Sequence, residues 1–295
     1  MQKTETKKSM LSSVIPSIVS LAKRGLAGWL TIFGALLVAA IIIMTAIAPW
    51  ISPHDPSRIN VSDKPLTPPS AQFPLGTNGL GQDVLSRVLS GGNIMLQVSI
   101  LSVIVCLMVG VPLGLSSSYA GGLIDRVTCL IMDSMYAFPG LVLAIAIAAM
   151  LGRGVTNMAL SIAVVYVPSY FRVIRSQVLS IKEMAYVEAA NAAGARSRTI
   201  LSKYILPNIV PSVVVVATVN FADAILTAAG LTFIGLGVSA DIPDWGWDLT
   251  VGRTLLTSGA WWVIAFPGLM IILLALGFTL MGEGLSEILN PRLEQ

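Results

Sequence analysis

Charge is what this chain lacks first. Only 11% of its 295 residues are Asp, Glu, Lys or Arg, against about 25% in soluble domains. Hydrophobic residues make up 55%, and the mean hydropathy is +0.82. This excludes an ordinary water-soluble fold and points to an integral membrane protein. The net charge of +3 is too mild to suggest a nucleic-acid partner. Histidine occurs once, as His54 in "SPHDP", and reads as a solvated loop side chain rather than a ligand or base. The two cysteines, Cys106 and Cys129, lie in apolar runs. They read as small hydrophobes, with neither a disulfide framework nor metal spacing. The chain has no G-x-x-x-x-G-K-[ST], so it cannot cradle ATP phosphates by that route. It also has no H-E-x-x-H and no G-x-S-x-G, so nucleophilic or metal-dependent catalysis finds no support. No catalytic residue, cofactor or metal is assigned. The opening "MQKTETKKSMLSSVIPSIVSLAKRG" does not read as a cleaved signal peptide. Its apolar part is short, Pro16 breaks it, and Lys23 and Arg24 follow.

What the chain has is long apolar runs. A helix needs about 20 apolar residues to cross a bilayer. Six stretches qualify: 28–50, 94–118, 127–151, 155–172, 207–236 and 262–283, the fourth being the shortest. The fold class is therefore all-α integral membrane with six transmembrane helices. Pro112, Pro139, Pro168 and Pro267 lie inside these runs; they read as kinks, with a gating hinge as the alternative. Basic residues set the orientation. With the N-terminus in the cytoplasm, only Arg58, Lys64, Arg87, Arg153 and Arg253 of the 18 Lys and Arg fall outside. Both termini are then cytoplasmic. The domains are a cytoplasmic segment 1–27, a first span 28–50, an extracytoplasmic loop 51–93, a five-helix core 94–286 and a tail 287–295. Near the end of the loop, "GQDVLSRVLSGG" predicts a short amphipathic helix on the outer membrane surface, or else a packed loop helix. Val84, Leu85, Val88 and Leu89 form its apolar face, Asp83 starts it and Gly91–Gly92 stop it.

Between the fourth and fifth runs lies "KEMAYVEAANAAGARSRTILSKYILPN". Ala-rich sequence favours helix, Met184, Val187 and Ala190–Asn191 share a side, and Gly194 is a natural stop. A second helix then leads to Pro207. The expectation is a helical knob, 184–195, protruding into the cytoplasm with small residues at its tip. Gripped from outside, such a knob transmits force to two spans.

Glu188, Ala189 and Ala190, with Gly194 and "ILPN" at 205–208, resemble the EAA loop of ABC importer permeases; here the loop is 176–206. Tyr204 stands where that pattern usually has Ile. "FPLGTNGLGQDVLSRVLSGG" (73–92) resembles the outer-loop signature of the dipeptide/oligopeptide/nickel branch, with Asn78 and Gln82 in place of Asp and Arg. "DSMYAFPGLVLAIAIA", "LTFIGLG", "WG" (245–246), "FPGLMIILLALGFTLMGEGL" and "NP" (290–291) match that branch in order. Many members carry Glu where this chain has Ala228. The resemblance implies a type I (MetI-like) permease core and the second, C-type permease of a heterodimer. Its partners would be a B-type permease, two ATP-binding subunits, an extracytoplasmic solute-binding protein and membrane lipid. The loop would be the coupling helix that docks on the ATPase, involving Tyr186, Glu188, Ala189, Ala190, Gly194, Ala195 and Pro207. The implied cargo is peptide, with nickel or a metal chelate second.

Two acids fall inside spans, where an unpaired carboxylate is costly. Asp223 either lines the translocation path or hydrogen-bonds a partner helix. Asp133 reads as structural, reaching interfacial water or Arg126, with the path as its other reading. In "DIPDWGWD", Asp241, Asp244 and Trp245 are either part of an interfacial aromatic anchor or a contact for the binding protein. A proton-coupled transporter relaying through Asp133 and Asp223 is the reading from a different class; it leaves the knob unexplained. A membrane-embedded enzyme lacks any nucleophile–base pair.

Overall fold

The computed structural model describes residues 25–239 and 241–289. The sequence readings at 1–24, "NP" (290–291), Arg292 and the end of the tail lie outside the described residues. Within them the chain is helical, and the sole bridge between extended segments pairs Thr77 with Asp83.

The first helix, α1 (Gly25–Ile51), is followed by a proline-rich loop to Asp83. Helix α2 (Val84–Ala120) then runs for 37 residues, about 55 Å at 1.5 Å per residue. Asp83 caps it, accepting a hydrogen bond from the Ser86 backbone N–H at 3.1 Å. The "VLSRVLSGG" stretch is thus the first turns of a span, not a separate surface helix. Its apolar Val84 and Val88 are buried against Val263 and Trp262. Gly91–Gly92 do not stop the helix, because their missing side chains make room for a ring: a Cβ on Gly91 would lie 2.6 Å from Cδ1 of Trp245.

Helix α3 (Gly122–Tyr136) and helix α4 (Gly140–Leu151) meet at 91° across Ala137–Pro139. The third apolar run is therefore sharply broken rather than gently kinked. Pro139 has no N–H to continue the ladder and disfavours helical geometry at Phe138 before it. Helix α5 (Val155–Lys182) has 28 residues, so the fourth run is a full span that continues past Arg172 to the edge of the knob. The short helix α6 (Ala185–Ala192) and a single turn, α7 (Ser197–Ile200), follow. A π-helical turn, Leu201–Ile205, leads into α8 (Leu206–Phe233). Helix α9 (Trp245–Leu255) and α10 (Trp262–Leu289) complete the described chain.

Among the described residues, five helices are long and apolar enough to cross a membrane (α1, α2, α5, the α7–α8 run and α10), and the bent pair α3–α4 makes a sixth if it counts as one span. The spans α2 and α5 form the central pair. They approach closely because Gly110 and Gly114 form a G-x-x-x-G step: a Cβ on either would press within 3 Å of the Cβ of Tyr170 or Ile174. The core has two halves along the bundle. One, around Met95, Ile162, Ile225 and Trp245, lies toward the loop end. The other, around Ile174, Val187, Ile200 and Ile209, lies toward the knob.

Candidate functional site

Helix α6 has one fully buried side chain. Val187 is fully buried among Val178, Ile181, Ile200, Ile205 and Ile209, while Tyr186, Glu188 and Ala189 are exposed. The helix begins where the Met184 carbonyl accepts hydrogen bonds from the Val187 and Glu188 N–H groups at 2.8 and 3.1 Å. It ends in a left-handed turn: Gly194 has φ +78°, and the Ala195 N–H donates back to the Ala190 carbonyl at 3.0 Å. A side chain on Gly194 would meet nothing within 4 Å. Ala190 and Ala195 are half-buried beneath this turn, and Gly194 itself is exposed. The outer surface of the knob thus carries the methyl groups of Ala189, Ala192 and Ala193 and the Gly194 backbone, beside Met184, Tyr186, Asn191 and one carboxylate, Glu188.

Sequence reasoning missed how the knob is braced. Asn208, on the first turn of α8, donates its side-chain amide to the Tyr186 hydroxyl at 3.2 Å. The Tyr186 and Tyr204 rings lie 6.4 Å apart. The Tyr119 hydroxyl at the end of α2 reaches Asn191 at 3.5 Å. Pro207 sits in the first turn of α8, directly after the π-helical turn. Alongside, Arg175 makes a two-point ion pair with Asp125, 2.9 and 2.7 Å, tying α5 to α3. Opposite charges just outside the ends of neighbouring apolar runs were a usable signal for that pair, but nothing local gave their register. A cavity of about 520 Å³ beside the knob is lined by Ser176, Gln177, Ser180, Asn208 and Ser212 among others.

The structure separates the two span acids. Asp133 is exposed and pairs with Arg172 of α5 at 3.0 Å, not with Arg126; the same guanidinium sits 4.2 Å above the Tyr136 ring. Asp223 is half-buried on α8. The Tyr166 hydroxyl donates to its backbone carbonyl at 3.4 Å and reaches Thr227 at 2.8 Å. Ala228, one turn on, is fully buried.

At the other end of α2 lies a buried polar cluster. Asp244 and Trp245, expected at an interface or a protein contact, are both fully buried. Asp244 caps α9 by accepting from the Gly246 N–H at 3.1 Å. Trp245 lies in the Gly91–Gly92 slot and donates its indole N–H to the Val88 carbonyl at 2.8 Å. Neither side chain is available to lipid or a partner; of the three residues singled out, Asp241 alone is exposed. Arg87 donates to Asp248 at 2.7 Å and to the Pro56 carbonyl at 3.1 Å. Burial pushes the Asp244 carboxyl up to about 7. It raises Asp248 too, against the opposing pull of the Arg87 guanidinium. His54 is not a free loop side chain: its ring packs on Phe73 and its Nδ1 lies 3.4 Å from Asp83. Asn78 and Gln82 are buried and bonded to each other, amide to carbonyl, at 2.8 Å. A neutral pair thus occupies the two positions at which the resembled pattern carries an acid and a base.

Residues 110–295 match the family described as the binding-protein-dependent transport system inner membrane component. The chain belongs to that family. Residues 29–69 match the N-terminal TM domain of oligopeptide transport permease C. The chain is similar to the di/tripeptide transport system permease protein DppC of Pseudomonas aeruginosa, 42% identical over 272 residues and 88% of each chain. It is 38% identical over 265 residues to the dipeptide transport system permease protein DppC of Alkalihalophilus pseudofirmus, covering 90% of this chain and 86% of that one. It is 37% identical over 260 residues to the glutathione transport system permease protein GsiD of Escherichia coli O1:K1 / APEC, covering 88% and 86%. The family is one of transport permeases rather than enzymes, and this member is a multi-pass membrane protein.

Proposed function

We propose that this chain is a permease subunit of an ATP-driven importer that passes peptides delivered by a solute-binding protein. The observation that carries the reading is α6: an exposed eight-residue helix, pinned by Val187 to the ends of two spans and presenting small residues beside one acid. A helix built in that way suits a groove on a force-producing partner. The relatives' names favour di- and tripeptides or glutathione as cargo.

In this reading α6 and Gly194 face the cytoplasm, as do both termini, in keeping with the bias of basic residues. Two ATP-binding subunits clasp α6 and its copy on a second permease. Closing of the nucleotide-driven pair pushes α6 as a rigid body. Val187 transfers the push to Ile181 at the end of α5, to Ile205 in the π-helical turn and to Ile209 at the start of α8, and the spans rock. Glu188 offers an acceptor at the groove, Ala189 and Ala190 permit close approach, and Tyr186 steadies the helix through Asn208. Asp223 lines the translocation path or hydrogen-bonds a partner helix. Asp133, neutralised by Arg172, serves as a tie between α3 and α5. Asp241 remains as a contact for the binding protein.

The test is uptake of a labelled dipeptide in cells whose ATP is depleted while the proton gradient is maintained. The reading expects uptake to stop. Continued uptake would favour a proton-coupled transporter, although Asp133 already has a basic partner and is poorly placed as a relay.

A further inference from the structure

At the knob end of α2 a groove of about 260 Å³ is floored by Pro112, Leu115, Leu201 and Leu206, and Arg198 is its one charged lining residue. The hydroxyls of Ser116 and Ser202 are turned back to their own helices, donating to the carbonyls of Pro112 and Arg198 at 2.6 and 2.7 Å. The guanidinium is therefore the groove's free side-chain donor. Arg196, Arg198 and Lys203 are all exposed, and among the described residues none has a carboxylate within ion-pair distance.

The apolar floor continues along α2. Leu101, Ile104 and Met108 are exposed at 40%, 40% and 71%, and with Pro112 and Leu115 they repeat every three or four residues, one face of a helix. From Leu101 to Leu115 the stripe is about 21 Å long, somewhat more than half the hydrocarbon thickness of a bilayer, about 15 Å. A basic group at the foot of an apolar stripe of that length has the shape of a lipid molecule. A free anion would use Arg198 and ignore the stripe; an acyl chain with a neutral headgroup would do the reverse.

We propose that this groove holds an anionic phospholipid of the knob-side leaflet, its phosphate on Arg198 and an acyl chain along Met108, Pro112 and Leu115. Leu201 and Leu206 bracket the π-helical turn that joins the knob to α8, and such turns are often functional. A lipid seated there bears on the segment through which the knob moves its span. The site requires α2 to cross the bilayer but not any particular partner for α6, so it stands or falls apart from the coupling assignment.

The test uses the full chain, purified in detergent and exposed to equal amounts of phosphatidylglycerol and phosphatidylcholine, with retained lipid counted by native mass spectrometry. Phosphatidylglycerol should be retained over phosphatidylcholine by about fivefold, the effect of one basic side chain at a charged surface. Arg198→Glu should abolish the preference and Arg198→Lys should keep most of it. Arg253→Glu, at the opposite end of the bundle, should leave it unchanged. Size-exclusion profiles establish that each variant is folded. Equal retention of the two lipids, or an unchanged preference in Arg198→Glu, would overturn the site. So would displacement of the lipid by millimolar inorganic phosphate, which would mark an anion site, or its loss on assembly with the companion subunits, which would show that protein covers the groove.

Discussion

Arg87 and Asp248 are 161 residues apart in the chain and 2.7 Å apart in the fold, both almost fully buried. The pair fastens α9 to the start of α2, at the end of the bundle remote from the knob. Removing one partner leaves a charge in a site that water does not reach. Asp248→Asn or Arg87→Met should each cost about 3–5 kcal/mol of stability. The double variant Arg87→Met/Asp248→Leu should recover much of that loss. Thermal unfolding of the purified protein in detergent measures it, and additive losses in the double variant would show that the ion pair is not the source.

Trp245 and Gly91 form a second cross-chain fit. Because a Cβ on Gly91 would fall on the indole, Gly91→Ala should destabilise the protein in the native background. In a Trp245→Leu background, where the ring is gone, the same change should cost little. Trp245→Leu alone should lose packing and the hydrogen bond to Val88, on the order of 3 kcal/mol. A double-mutant cycle on unfolding midpoints reads the coupling directly.

Asn78 and Gln82 offer a test by replacement. Each is buried, and they satisfy one another. Asn78→Asp alone or Gln82→Arg alone buries an unmatched charge and should lower expression and stability. Asn78→Asp/Gln82→Arg together should restore both, since the 2.8 Å contact becomes an ion pair. Membrane-fraction yield and melting temperature report the outcome. A double variant no better than the singles would mean the two sites are not coupled.

Asp244 makes stability depend on pH. Its carboxyl is raised by burial to about 7 in the folded protein, against about 3.9 in an unfolded chain. Folding then takes up a proton between those values. The stability that Asp244 contributes is greatest below about pH 4, declines as the pH rises toward about 7, and is level beyond, with a slope of up to about 1.4 kcal/mol per pH unit; Asp125, held below the usual carboxylate range by Arg175, acts the other way in acid. Asp248, also raised by burial, acts in the same direction as Asp244. Unfolding midpoints between about pH 5 and 7 should fall in the native protein and fall less steeply in Asp244→Asn. A midpoint that climbs over that range in the native protein would contradict the assignment.

Gly194 separates structure from coupling. Its positive φ costs a side chain about 1–2 kcal/mol, yet the space around it is open, so the chain should still fold and assemble with a substituent there. Gly194→Asn, whose residue tolerates this conformation, should assemble fully, and Gly194→Asp should assemble but not transport. Co-purification of all subunits together with dipeptide uptake distinguishes the two effects. Normal uptake by Gly194→Asp at normal expression would remove the knob from the coupling path.

Local chemistry made much of this protein legible from its residues. The scarcity of charge and the length of the apolar runs dictate a membrane bundle, since twenty apolar residues in helical form have no better place than a bilayer. Alanine-rich sequence ending at Gly194 dictates a short helix and its stop, because propensity and left-handed backbone act within a few residues. What had to wait for the tertiary structure are the pairings between distant segments. Gly91–Gly92 carry a local stop signal, but a ring from α9 fills the space they leave and the helix continues. Asp133 has Arg126 two turns away in sequence, yet Arg172 of another helix reaches it first. Trp245 has the chemistry of a membrane anchor but lies buried in the slot left by Gly91 and Gly92. In each case the deciding partner comes from another helix at a register set by packing, and packing depends on all the side chains of both helices at once.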